Sequence, residues 1–197
     1  MTGISEKNLE FLRRMRKVYF VAMTEELDAD STTSQVVYTG VGKARATRGI
    51  LKWMQANEDL LRSGEPVLMI SIGTAGSGKH DRSDILLVED FVNNGDSFIQ
   101  EKTHFEILPD PTGYICASSD FFISDKNFDA DHVARMRNSF DCMDMESFAL
   151  ANICAIFDLP FLAIKCISDG ANDTVESFDE MLPRFRAQLN ELVARLD

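Results

Sequence analysis

The chain has 197 residues, 45% of them hydrophobic, and a formal charge of −12. That length supplies the core of one domain, taken as residues 1–197 with 1–17 as an N-terminal helical extension, and the acidic balance excludes binding nucleic acid through its phosphates. Cysteines without Cys-x-x-Cys spacing, scattered histidines, no membrane-length apolar run and no signal-peptide order together predict a reduced, cytoplasmic protein with no metal site and no membrane partner.

Ser5 to Lys17 reads as a short amphipathic helix with Leu9, Leu12 and Met15 on one side. Val18 to Met23 follows as a strand, with Glu25 and Glu26 just past its end, where acids most often belong to a solvated loop. A second strand, Gln35 to Thr39, runs into Gly40-Val41-Gly42-Lys43 and a helix of about 18 residues carrying Ala46, Ile50, Met54, Leu60 and Leu61. A glycine turn at a helix start suits an anion or a polar ligand group. Val67 to Ile72 is an apolar strand leading into GTAGSGKH, Gly73 to His80. That octapeptide fits a P-loop up to its last position, where His80 replaces the Ser or Thr that would hold magnesium. A P-loop must open a crossover helix of at least about 10 residues, and only Asp81 to Asp84 precede the next strand, Ile85 to Asp90. The octapeptide therefore reads as a glycine-rich turn whose backbone N–H groups can approach a ligand closely.

Little regular structure is predicted from Phe91 to Pro111. Tyr114 to Ser118 reads as a strand, followed by Asp120-Phe121-Phe122-Ile123, whose adjacent aromatics suit either a core or a flat heterocycle. From Asp144 to Gly170 the pattern is more specific. Met145, Phe148, Ala149, Ile153, Ile156 and Phe157 give a helix one buried face, and Pro160 ends it. Phe161 to Ile167 is an apolar run with a single Lys165, as in a strand buried on both sides, and Ser168-Asp169-Gly170 lies at its carboxyl end, where α/β sheets hold ligands. Ser177 to Glu180 has the capping-box pattern of a last helix carrying Phe185, Leu189, Leu192 and Leu196, which Pro183 either kinks or starts later.

The turn glycines, the GTAGSG loop, the Met145-Glu146 pair and Ser168-Asp169-Gly170 in combination resemble the purine nucleoside phosphorylase and nucleosidase superfamily, most closely the 5′-methylthioadenosine/S-adenosylhomocysteine nucleosidases. The resemblance runs from about Val18 to Leu196 and is densest from Met143 to Asp169. It implies an α/β fold with a central mixed, largely parallel twisted sheet flanked by helices, no cofactor, a small purine nucleoside as partner and a homodimer. It also implies roles. Glu26 activates the attacking water, Asp169 protonates purine N7, and Glu146 grips the ribose hydroxyls. Met145 lines the sugar, Phe122 stacks on the base, and the Ile123 backbone binds the base edge. Thr74 and Gly76 border the ribose, Ser168 stands beside the acid, and Met23, Val41 and Phe178 form an apolar 5′ pocket.

Cleaving an N-glycosidic bond needs one acid to protonate the leaving base and another carboxylate to activate water. Asp169, at an apolar strand end, is expected to have its pKa raised by desolvation, and Glu146, at a helix start, to stay ionised. Glu25 and Glu26 oppose phosphate as the nucleophile, while Lys43, Arg45 and Arg48 after Gly42 keep a phosphorylase open. A nucleoside-binding relative without catalysis is the other alternative. Two segments depart from the nucleosidase pattern. The stretch between Glu26 and Gly40 is short, and Phe105 to Ala117 lacks room for the strand and helix usual before the adenine loop.

Overall fold

The computed structural model describes residues 4–94, 101–124, 126–171 and 175–197, with backbone alone for 175–179. In chain order the elements are α1 (Glu6–Arg14), β1 (Arg16–Val21), a 3-10 turn (Ala29–Ser31), β2 (Gln35–Tyr38), α2 (Lys43–Ala56), α3 (Glu58–Arg62), β3 (Val67–Gly76) and β4 (Ile85–Val88). Then come β5 (Asp90–Asn94), β6 (Lys102–His104), β7 (Ile115–Ser119), α4 (Ala130–Ser139), β8 (Cys142–Asp144), α5 (Ser147–Ile156), β9 (Phe161–Asp169) and α6 (Val175–Leu196).

The strands form one mixed sheet in the order β2-β1-β3-β8-β7-β5-β6, with β9 paired to both β3 and β4. Its pairings are largely parallel: β1 with β2 and β3, β3 with β9, and β7 with β5 and β8. The pairs β3/β8, β4/β9 and β5/β6 are antiparallel. Every residue of β9 is buried, as is every residue of β3 except Thr74, because helices cover both faces of these central strands. On one face α2 and α5 enclose Phe20, Ile50, Trp53, Phe148 and Phe161. On the other, α1 and α6 enclose Leu12, Tyr19, Ile70, Phe185 and Leu189. Each such side chain contributes roughly 1.5–3 kcal/mol by leaving water, so the two layers hold the strand ends in fixed register. Among the described residues no helix is long and apolar enough to cross a membrane.

Local chemistry explains most boundaries. Ser5 caps α1, its Oγ accepting from Asn8 N at 3.2 Å, and Arg13 and Arg14 sit at the favourable C-terminal end. The predicted long helix is broken at Asn57, which closes α2 and opens α3. β3 continues through Gly76 instead of turning after Ile72, since Gly73, Thr74 and Ala75 still pair with β9. The span from Phe91 to Pro111 holds the end of β5 and all of β6, too short for an alternating pattern to appear in the sequence. α4 is also absent from the sequence prediction, although Asp129 caps it and Val133 and Met136 are buried. In α5 the predicted apolar face is incomplete. Phe148, Leu150, Ala151 and Cys154 are buried against the sheet and α2, but Ile156 at the helix end and Phe157, its C-cap, are 64% and 51% exposed. α6 starts at Val175 and runs through Pro183, so the proline does not delay the helix.

Candidate active site

Glu26 leaves the end of β1 and is 3% exposed, while neighbouring Glu25 is exposed. Its Oε1 accepts from Thr74 N at 2.8 Å and Thr74 Oγ1 at 2.6 Å, and its Oε2 accepts from Met23 N at 3.3 Å. Burial raises its pKa, and these donors together with Lys165 oppose that rise without cancelling it. A carboxylate moved toward neutral pH in this way is a stronger base. Asp169 ends β9 and is 4% exposed; its Oδ2 accepts from Ser168 Oγ at 2.7 Å and its Oδ1 from Ala171 N at 2.8 Å.

The glycine loop has a different job from the one its composition suggests. A Cβ on Gly73 would lie 2.9 Å from Glu26 Oε1, and one on Gly76 would lie 2.7 Å from Asp169 Oδ1. Both are far inside normal contact, so the two glycines clear space on β3 for the two acids. The segment is a strand that seats carboxylates and not a turn.

Glu146 precedes α5, and its Oε1 accepts from Gly42 N at 2.7 Å. Its expected ionised state is overturned. Burial first, and then the charge of Asp144, push its pKa up to about 8, against the pull of Lys165 and the Gly42 amide. The reason lies in the cap of α5, because Ser147 N donates to Asp144 Oδ2 at 3.0 Å, so Asp144 and not Glu146 takes the helix amides. Asp144 in turn meets Lys165, Nζ to Oδ2 at 2.8 Å, with side chains only 1% and 3% exposed. Burial works against the charge on both, but the pairing and the Ser118 and Ser147 hydroxyls hold Asp144 below the usual carboxylate range. Lys165 is likewise held charged, above the usual lysine range, by Asp144, Cys116 and Glu146.

These side chains converge on a cleft of about 290 Å3. Of the residues singled out from the sequence, Met23, Glu26, Val41, Thr74, Gly76, Phe122, Ile123, Met145, Glu146, Ser168 and Asp169 all line it. The side chain of Phe178 lies outside the described residues. Sequence reasoning passed over Asp144 and Met143, which also line the cleft, and the Lys165 beneath. Lys165 did carry a signal, since a single charge in a buried strand requires a partner. Among the described residues no group of His, Cys, Asp and Glu is arranged to hold a metal ion.

The site bears on the choice of nucleophile. The amide at the start of α2 is occupied by Glu146, Lys43 is engaged by Asp120 at 3.0 Å, and Arg45 lies against Gly40. The helix N-terminus that would hold a phosphate already holds the protein's own carboxyl group.

Such a sheet, with acids from two strand ends meeting a third at a helix start, is an α/β arrangement, and residues 111–196 match the family described as the Phosphorylase superfamily. The chain is similar to 5′-methylthioadenosine/S-adenosylhomocysteine nucleosidases. With that of Glaesserella parasuis serovar 5 it shares 36% identity over 97 residues, 47% of this chain and 39% of the relative. The chain thus matches well under half the length of this curated relative. Its fold is that of the S-adenosylhomocysteine nucleosidase of Streptococcus pyogenes, with a TM-score of 0.71 at 17% identity, covering 93% of this chain and 96% of the other. The futalosine hydrolase of Helicobacter pylori has the same fold, with a TM-score of 0.68 at 17% identity, covering 92% and 97%.

Proposed function

We propose that the protein hydrolyses the N-glycosidic bond of a purine nucleoside, 5′-methylthioadenosine or a related 5′-substituted adenosine, and releases the free base. The convergence of Glu26, Glu146 and Asp169 on one cleft carries this reading. Asp169 gives its proton to purine N7, the bond from C1′ to N9 breaks, and the base leaves with that bond's electron pair. The ribosyl fragment becomes cation-like. Glu26 takes a proton from water as the water oxygen bonds to C1′. Exchange with solvent then returns the proton from Glu26 to Asp169. Glu146 holds the 2′ and 3′ hydroxyls, Phe122 stacks on the base, the Ile123 backbone meets its edge, and Met145 lies along the sugar. Thr74, Gly76 and Ser168 border these groups, and Met23, Val41 and Phe178 receive an apolar 5′ group. A homodimer in the cytoplasm completes the reading.

Incubation with 5′-methylthioadenosine, adenosine and inosine, with and without phosphate, followed by chromatography tests it. Free base and free sugar without phosphate are expected. A requirement for phosphate would make the protein a phosphorylase, and intact nucleoside with measurable binding would make it a binder.

Glu146 adds a pH signature. With a pKa near 8 the empty site holds its proton at pH 7, whereas two hydroxyl donors favour the ionised form. Nucleoside binding should therefore release close to one proton at pH 7, and affinity should rise with pH until about 8 and then level off. Calorimetry in buffers of different ionisation enthalpy measures this. Proton uptake, or none, would contradict it.

A further inference from the structure

Lys43 stands where a cation is least favoured, at the first position of α2 beside the positive end of the helix dipole. Its side chain is nevertheless only 16% exposed; Nζ lies 3.0 Å from Asp120 Oδ2 and donates to Asn93 Oδ1 at 2.8 Å. These three residues come from α2, from the loop after β7 and from β5. Both charged partners of the bridge adjoin residues that line the cleft or serve it. Val41 lines the cleft just before Lys43, Phe121, Phe122 and Ile123 line it just after Asp120, and Gly42 donates its N–H to Glu146. Phe121 is 62% exposed, so packing alone holds that aromatic wall weakly.

A local preference broken beside a site points to a functional compensation. An ion pair whose carboxylate is 58% exposed adds little stability, so what the bridge supplies is the register of two loops. We propose that Lys43 is a positioning residue whose bridge to Asp120 and Asn93 fastens the aromatic wall of the base site to the turn that orients Glu146, so that base and ribose are gripped as one unit. This rests on the nucleosidase reading above.

Amide hydrogen exchange reads the bridge without any substrate. In Lys43→Met and in Asp120→Asn the amides of residues 118–124 should exchange about tenfold faster, with β3 and β9 unchanged. For a nucleoside that the wild type cleaves, KM should rise about tenfold in both variants, with kcat within about twofold, and Lys43→Arg should restore KM. Unchanged exchange in both variants would overturn the bridge, and faster exchange with unchanged KM would reduce it to a purely structural contact and overturn its role in binding. A wild type that cleaves no nucleoside defeats the nucleosidase reading, and exchange then decides the bridge alone.

Discussion

Replacing Asp169 by Asn is expected to lower base release by about 10²- to 10⁴-fold while nucleoside binding persists. The amide keeps the shape of the carboxyl group, and it can still accept from Ala171 N, which now lies 2.8 Å from Oδ1. What it lacks is an acidic proton for N7, without which a purine is a poor leaving group. The loss should therefore fall on kcat and not on binding, because an interaction needed only as the bond breaks leaves the bound state alone. Steady-state kinetics over a range of pH, with calorimetric binding alongside, separates the two. Turnover equal to wild type, with an unaltered pH profile, would remove Asp169 from the chemistry.

Lys165→Met is expected to destabilise the fold by about 3–5 kcal/mol, since breaking a buried ion pair from one side leaves its partner charged and uncompensated. The partner here is Asp144, whose side chain is 1% exposed and also caps α5 through Ser147 N. Lys165 Nζ further donates to Ser71 Oγ at 3.2 Å, a bond that Met loses as well. Asp144→Asn in the Lys165→Met background should recover part of the loss, because the second change removes the stranded charge. Urea unfolding of the two single variants and the double variant measures the coupling. A loss below about 1 kcal/mol in Lys165→Met would mean that Asp144 finds its compensation elsewhere.

The strongly patterned elements were legible from the order of residues alone. Apolar periodicity located α1, α6 and the strands β1, β3 and β9, because these bury one stripe or two full faces. Rejection of the P-loop also follows from the short spacing before Ile85, and β3 running on through Gly76 with no helix between it and β4 agrees. β6 and β8 were not legible, being three residues each, too few to show alternation. α4 was legible in principle, from Asp129 as cap and Val133 and Met136 at helical spacing, and was passed over because its exposed residues dilute the pattern.

The site divides along the same line. Which residue types meet at the cleft was determined by the sequence itself: acids after β1, before α5 and at the end of β9, with glycines on the strand between them. A strand end or a helix start places a side chain on the functional edge by local geometry alone. Tertiary structure decided their states and their seats. Gly73 and Gly76 make room for Glu26 and Asp169 only because β3 lies alongside both, and Glu146 takes up its proton near pH 8 because burial and Asp144 outweigh a helix dipole already claimed by Asp144. Charge states depend on the distances between residues remote in the chain, and no local pattern encodes those.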